Sequence, residues 1–259
     1  MPRNRPSGPP DNVDAKNLQR KLQLKAFWSK ATEGGTIIVY PNETNEFPKI
    51  PKNLAPLTGG GEAVAMYTLG RTLERLDIPE NDVRGTKSSE GVLNGPKCLV
   101  ILLGSPKANP RVGEISEAPP NWKRRFKFDA ALDQSAEFFL LQITDTWMPS
   151  QERPYGDTPA HGTDFALITF IPGEDGRRSI LEVGGLSTHG TQAAVEFICS
   201  GGGIEQIFHR IGATPGADWN PQPFEILLSV PVRGSALGAR PTILASNPDP
   251  NASFSWTTK

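Results

Sequence analysis

The chain of 259 residues contains only two cysteines and three histidines. Cys98 and Cys199 both lie beside apolar residues, which favours buried free thiols in a reducing compartment. A disulfide bond between the two cysteines is the alternative. No apolar run approaches the roughly 18 residues that a membrane-spanning helix needs. The first ten residues carry charge but no apolar stretch, which argues against a secretory signal. We therefore expect a cytoplasmic protein with no membrane partner.

The chain also lacks an excess of either charge. Its 27 Lys and Arg residues face 28 Asp and Glu residues, and the formal net charge is −1. General electrostatic attraction to nucleic acid is therefore weak. The basic run 123–128 follows Trp122 and has the aromatic interleaving of a nucleic-acid-binding segment. We favour a solvated strand face with inward-pointing aromatics, and expect no nucleic-acid partner.

Glycine and proline are abundant, at 26 and 25 residues. This content is well above the usual total of about 12% and predicts many turns. Residues 1–13 are Pro-rich and polar, which predicts a disordered arm. We expect a single α/β domain over residues 14–246, followed by a polar tail over residues 247–259.

Strand-like and helix-like segments alternate in the first half of the domain. Residues 36–40 and 97–104 are apolar runs typical of strands buried on both faces, and a helical periodicity lies between them. Strand, helix and strand in this order form a βαβ unit with parallel strands. We therefore expect a mostly parallel central sheet with flanking helices, Rossmann-like in layout, and an irregular strand-rich C-terminal part.

Two other segments of the first half carry predictions. Leu18, Leu22 and Ala26 recur at four-residue spacing with Phe27 beside them, which predicts a helix over residues 14–32 that buries these apolar residues. Residues 41–58 form a Pro- and Asn-rich loop that is long for a compact domain, which favours a functional or mobile segment.

The segment 179–199 is the most informative for function, because a strand leads through a glycine-rich turn into a helix. This order places a helix N-terminus, with free N–H groups, at the carboxyl end of a strand. We expect a cradle for an anion, a phosphate or a nucleotide. The alternative is a tight turn with Thr191 as helix cap. The predicted ligand-binding residues are Gly184, Gly185, Ser187, Thr188, Gly190 and Thr191.

A second turn, over residues 104–110, also follows a buried strand. If the two strands are parallel, both turns lie at one edge of the sheet. Lys107 would pair with a phosphate or carboxylate of the ligand, and neighbouring polar groups would form hydrogen bonds with that same anionic group. The alternative is a proline-rigidified loop with a solvated lysine. The predicted ligand-binding residues are Gly104, Ser105, Lys107 and Asn109.

The candidate catalytic residues are Glu62, Ser187 and His189. Glu62 follows three glycines at a helix start, where its carboxylate would repel an anion but suits a ribose hydroxyl or the role of base. His189 is the other candidate base. Residues 185–189 read G-x-S-x-H, one position away from the nucleophile elbow, so a serine hydrolase using Ser187 is an alternative function.

The histidines do not favour a metal site. None of His161, His189 and His209 stands at a ligand spacing from another, so we expect no metal. The sequence also indicates no particular cofactor.

Residues 104–110, GSPKANP, and residues 184–194, GGLSTHGTQAA, carry a resemblance. They resemble uncharacterised bacterial Rossmann-like α/β domains in which a GSPxxNP turn precedes a GGxxxxGTxAA turn. The layout is also similar to Rossmann-like nucleotide sensors of bacterial conflict systems. The resemblance implies a sensor or a nucleotide-processing domain in bacterial defence or signalling, and it assigns no catalytic residue.

We therefore expect the chain to bind a small anionic ligand, either a nucleotide or a phosphorylated metabolite. Turnover of the ligand is left open. The other alternative is a non-catalytic interaction module in which the Pro-rich arm and residues 111–128 contact a partner. That partner would be another protein or a second copy of the chain in a homo-oligomer.

Overall fold

The computed structural model describes the greater part of the expected domain. The described residues are 12–41, 60–78, 83–87, 98–114, 122–133, 138–147, 154–155, 162–173, 178–214, 219–233, 236–237 and 239–248. Most of the predicted Pro-rich arm, nearly all of the predicted loop at 41–58 and most of the polar tail lie outside these residues, and the last two residues of the arm belong to a helix.

The described residues contain five helices and eleven strands. The helices are α1 (Asn12–Ala31), α2 (Gly60–Arg75), α3 (Arg111–Glu114), α4 (Thr188–Ile198) and α5 (Gly201–Arg210). The strands are β1 (Thr36–Tyr40), β2 (Val83–Lys87), β3 (Leu99–Leu103), β4 (Phe126–Asp133), β5 (Phe138–Asp145), β6 (Pro154–Tyr155), β7 (Thr163–Ile171), β8 (Ser179–Gly185), β9 (Phe224–Arg233), β10 (Ala236–Leu237) and β11 (Thr242–Asn247).

Eight of these strands form one mixed sheet. Its order is β2–β1–β3–β8–β7–β9, and both β10 and β11 pair with β9. The four strands β2, β1, β3 and β8 are parallel, whereas every pairing from β8 onward is antiparallel. The α/β class is confirmed, but a mostly parallel, Rossmann-like sheet is not.

The length of one connection explains the change of direction. Strand β7 ends at Ile171 and β8 begins at Ser179, and a parallel crossover needs a dozen or more residues. The short link therefore makes an antiparallel pair. In the strand-rich C-terminal part, which we expected to be irregular, β7, β9, β10 and β11 form the antiparallel half of the same mixed sheet.

Helices α1, α2, α4 and α5 cover one face of the mixed sheet and form the largest core cluster with it. From α1, Phe27 and Trp28 are fully buried in this cluster. Leu18 and Leu22 are instead 59% and 60% exposed, so the predicted burial is confirmed for Phe27 and is wrong for the two leucines. The bulky aromatic pair turns the opposite side of the helix toward the sheet. Among the described helices, none is both long and apolar enough to cross a membrane.

The other face of the mixed sheet carries a smaller sheet of order β4–β5–β6. Phe126 of β4 and Ile143 of β5 pack against Leu167 and Leu227 of the antiparallel half. This packing places the residues that lead into β4 over strands β7 and β9 of the mixed sheet.

Candidate functional site

The two glycine-bearing turns meet at one edge of the sheet, as the sequence indicates. Strands β3 and β8 are parallel neighbours, with Leu103 opposite Val183. Just beyond them, the Gly104 N–H donates to the Val183 carbonyl at 3.0 Å. The turns at 104–110 and 184–191 therefore leave the sheet side by side.

The glycines at this edge pack against the chain's own backbone. A Cβ on Gly184 would lie 2.2 Å from the Gly104 carbonyl oxygen, and one on Gly185 would lie 2.4 Å from the Gly190 Cα. Only glycine permits these contacts, because any side chain would collide with main-chain atoms. The space in which we expected a ligand to approach these glycines is therefore filled by the protein's own main chain.

A carboxylate of the chain occupies the N-terminus of α4. Asp164 Oδ2, from β7, accepts from the Gly190 N–H at 2.7 Å and from the Ser187 hydroxyl at 2.5 Å. Asp164 is buried, and its Oδ1 accepts from the Phe165 N–H. A negative charge at this position is favoured by the helix dipole. A second anion placed there would meet the charge of Asp164.

The cap of α4 also differs from the expected one. The helix begins at Thr188, and Ser187 is its N-cap, with the hydroxyl oxygen accepting from the His189 N–H. The Thr191 N–H donates to the Ser187 carbonyl, and the Thr191 hydroxyl accepts from the Gly185 N–H. These bonds leave the amides of 189–191 with acceptors inside the protein, so they do not form an open cradle.

The second turn uses most of its polar groups internally as well. Asn109 is fully buried, and its Nδ2 donates to the carbonyls of Val39 at 3.2 Å and Leu103 at 2.9 Å. It therefore ties the ends of β1 and β3 together. Ser105 is buried and its carbonyl accepts from the Ala108 and Asn109 N–H groups, whereas the side chain of Lys107 is exposed. Of the predicted contacts in this turn, Lys107 is the one that faces solvent.

Glu62 is a second buried carboxyl, in addition to Asp164. It lies in the first turn of α2, in line with the buried residues Ala65, Leu69 and Leu73. Only 8% of Glu62 is exposed, and its Oε2 has no hydrogen-bond partner. Burial raises its pKa to about 7, although a hydrogen bond from its own backbone amide acts in the opposite direction.

The packing of α2 on α4 indicates where Glu62 lies. The two helices are in contact, and the Thr72 side chain of α2 lies close to the thiol of Cys199 at the end of α4. Glu62 precedes Thr72 by ten residues and His189 precedes Cys199 by ten residues. At 1.5 Å per residue, both positions lie about 15 Å back along their helices. Since α2 and α4 each follow one of the parallel strands and run back along the sheet, we expect Glu62 to lie level with the first turn of α4, at the edge where the glycine turns meet.

A separate group of charged side chains lies between the two sheets. Glu182 of β8, Thr169 of β7 and Glu225 of β9 are directly opposite one another in register and form a row across three strands. The guanidinium of Arg124 lies on this row and donates to both carboxylates and to the Thr169 hydroxyl. The basic run is therefore not simply a solvated face, because its first arginine points inward.

Burial and opposite charge act against each other at this row. Burial raises the pKa of both Glu182 and Glu225, and the charge of Arg124 offsets part of that increase. Desolvation lowers the pKa of Arg124, but the two carboxylates outweigh it and raise the pKa overall. Beside the row, Arg125 pairs with the buried Asp145 at 2.8 Å.

Replacing Ser187 with alanine tests the hydrolase alternative. Loss of an N-cap hydroxyl is expected to lower the free energy of unfolding by about 1 kcal/mol. Because that hydroxyl is engaged in the helix cap, donating to Asp164 and accepting from the His189 N–H, we expect no labelling of the wild-type protein by a fluorophosphonate probe. Labelling of the wild type that disappears in Ser187→Ala would instead support the hydrolase.

Within the described residues, no group of three His, Cys, Asp or Glu side chains is placed to hold a metal ion. His161 lies outside those residues. The roles of three residues at the edge follow from geometry: Glu62 is buried with an unpartnered oxygen, Lys107 is exposed, and Asp164 caps a helix.

No protein-family model, no curated protein and no solved structure matches this chain.

Proposed function

We propose that the chain binds a small phosphorylated ligand with free hydroxyl groups, such as a nucleotide, at the carboxyl edge of its parallel strands. The observation that carries this proposal is Glu62, a buried carboxyl with an unpartnered oxygen at that edge. Leaving a buried polar group without a partner costs about 1–3 kcal/mol. A ligand hydroxyl that donates to Oε2 would remove this cost.

The phosphate is expected at Lys107 rather than at the N-terminus of α4. Asp164 already occupies that N-terminus, and its charge would repel a phosphate. Lys107 stands on the turn after β3, at the same edge, and its exposed ammonium group suits a phosphate oxygen. The ligand would therefore place its charged end toward the 104–110 turn and its hydroxyl groups toward Glu62 and Thr188.

Thermal unfolding in the presence of nucleotides and sugar phosphates tests this function. A ligand at a hundred times its Kd adds about 2.7 kcal/mol to the free energy of unfolding, which is expected to raise the Tm by about 5 °C or more. Glu62→Gln removes the acceptor charge and Lys107→Ala removes the cation, so each variant is expected to lose most of that increase.

Lys30→Ala serves as the matched control. Lys30 is an exposed lysine on α1 that pairs with Glu33, so its removal is expected to leave the ligand-induced Tm increase unchanged. The proposed function would be rejected if no compound in the panel raised the Tm of the wild-type protein. It would also be rejected if Glu62→Gln and Lys107→Ala responded like the wild type.

A further inference from the structure

The row Glu182–Thr169–Glu225 is built around a single guanidinium group. Arg124 Nη2 donates to Glu182 Oε2 and to Thr169 Oγ1, and Nη1 donates to Glu182 Oε1 at 3.3 Å. Arg124 Nε donates to Glu225 Oε1 at 3.2 Å. All three guanidinium nitrogens thus have acceptors, and those acceptors come from three different strands.

The same glutamate also holds the backbone beside Arg124. Glu225 Oε2 accepts from the Arg125 N–H at 2.6 Å and from Asn247 Nδ2 at 2.9 Å. Asn247 Nδ2 donates in addition to the Lys123 carbonyl at 2.8 Å. Residues 123–126 are therefore fixed to β9 and β11 through main-chain and side-chain bonds together.

We propose that the Glu182–Thr169–Glu225 row is a guanidinium-binding site that the chain fills with its own Arg124, so that residues 123–126 act as a strap holding the small sheet on the mixed sheet. The strap leads directly into β4, and β4 carries the small sheet through its pairing with β5. Removing Arg124 would leave two buried carboxylates without their cation, which is strongly destabilising.

The geometry favours guanidinium over a simple cation. Bidentate contact with Glu182 and a separate Nε contact with Glu225 require a planar fork, which an ammonium group lacks. The side chain of Arg124 is 22% exposed, so the site is reachable from solvent once that side chain is removed. A free guanidinium ion of similar shape is therefore expected to enter it.

Chemical rescue of Arg124→Ala tests the proposal. The variant is expected to unfold at a Tm on the order of 10 °C below the wild type. Methylguanidinium at about 10 mM is expected to restore several degrees of this loss by binding the folded state, while the Tm of the wild type does not rise. Methylammonium at the same concentration is expected to restore less than a third as much. Equal rescue by both ions, or rescue by neither, would overturn the proposal.

Hydrogen exchange separates a strap from a general loss of stability. In Arg124→Ala, amides of β4 and β5 are expected to exchange at least about tenfold faster than in the wild type, and through an opening of lower free energy than the global unfolding that exposes amides of β3. If Arg124→Ala does not fold, Arg124→Lys replaces it, since the lysine keeps a charge but not the fork. The same local increase is expected there. Unchanged exchange in β4 and β5, or one common opening free energy for β3, β4 and β5 in the variant, would overturn the proposal.

Arg71→Ala is the control for both measurements. Arg71 is an exposed arginine of α2 that pairs with Glu74 at 2.7 Å. Its removal is expected to change the Tm by no more than a degree or two, and to give no response to methylguanidinium. A methylguanidinium response in this variant would show that the ion stabilises the protein without using the row, and would overturn the proposal.

Discussion

Gly184→Ala is expected to lower the free energy of unfolding by about 3 kcal/mol, because its new Cβ has no room. That atom would lie 2.2 Å from the carbonyl oxygen of Gly104 and 2.7 Å from its carbonyl carbon. Both neighbours are main-chain atoms at the ends of paired strands, so relief requires β3 and β8 to separate. Urea unfolding of the variant and the wild type measures the difference.

The matched control is Gly70→Ala on α2. A Cβ at Gly70 would meet nothing within 4 Å, and the position is an exposed helix interior. Alanine is expected to stabilise the protein there by about 0.5–1 kcal/mol, because it has less backbone freedom to lose on folding. The same chemical change therefore has opposite signs at the two positions. Equal stability of Gly184→Ala and the wild type would contradict the packing of the two turns.

The meeting of the two turns could be predicted from the sequence, but what fills them could not. Leu99–Leu103 is an unbroken apolar run, so its place inside a sheet follows from composition alone. The filling group, Asp164, comes from β7, whose position depends on the short antiparallel link to β8. A single aspartate ahead of a strand carries no local signal that it caps a distant helix.

The two buried glutamates between the sheets could have been recognised from the sequence, although we did not predict them. Glu182 and Glu225 are each the only charged residue inside an otherwise apolar strand core. A lone carboxylate in such a strand must be paired with a cation, since an unpaired buried charge is too costly. The basic run at 123–128 supplied that cation, but its spacing alone fits a solvated strand equally well.

Helical periodicity identified α1 without identifying its buried face. Leu18 and Leu22 have the correct spacing but stay exposed, whereas Phe27 is buried together with Trp28 and Ala31, which the spacing did not indicate. Burying two large aromatic side chains removes more apolar area from water than burying two leucines. Volume rather than period therefore decides the orientation of this helix.

Glu62→Gln is expected to stabilise the protein at pH 8 while it removes most of the ligand-induced increase in Tm. In the folded state, burial raises the pKa of Glu62 from an ordinary value of 4.5 to about 7. Between these values the folded chain holds a proton that the unfolded chain has released. The free energy of unfolding therefore falls as the pH rises through this range, and the loss is complete above pH 7.

The size of this effect follows from the pKa difference. One pKa unit corresponds to about 1.4 kcal/mol, so ionised Glu62 lowers the stability of the folded state at pH 8 by up to about 3 kcal/mol. Glutamine has no charge to bury. The variant is therefore expected to exceed the wild type in stability by up to about 3 kcal/mol at pH 8, and by little at pH 4.5.

Urea unfolding at the two pH values measures the difference between variant and wild type, which cancels the titration of other groups. Glu74→Gln, an exposed glutamate of the same helix, is the control and is expected to change stability by no more than about 0.5 kcal/mol at either pH. If Glu62 served packing alone, Glu62→Gln would raise the free energy of unfolding and leave the ligand-induced increase in Tm unchanged. Greater stability together with a lost ligand response would mark Glu62 as a residue that the site needs at the expense of the fold.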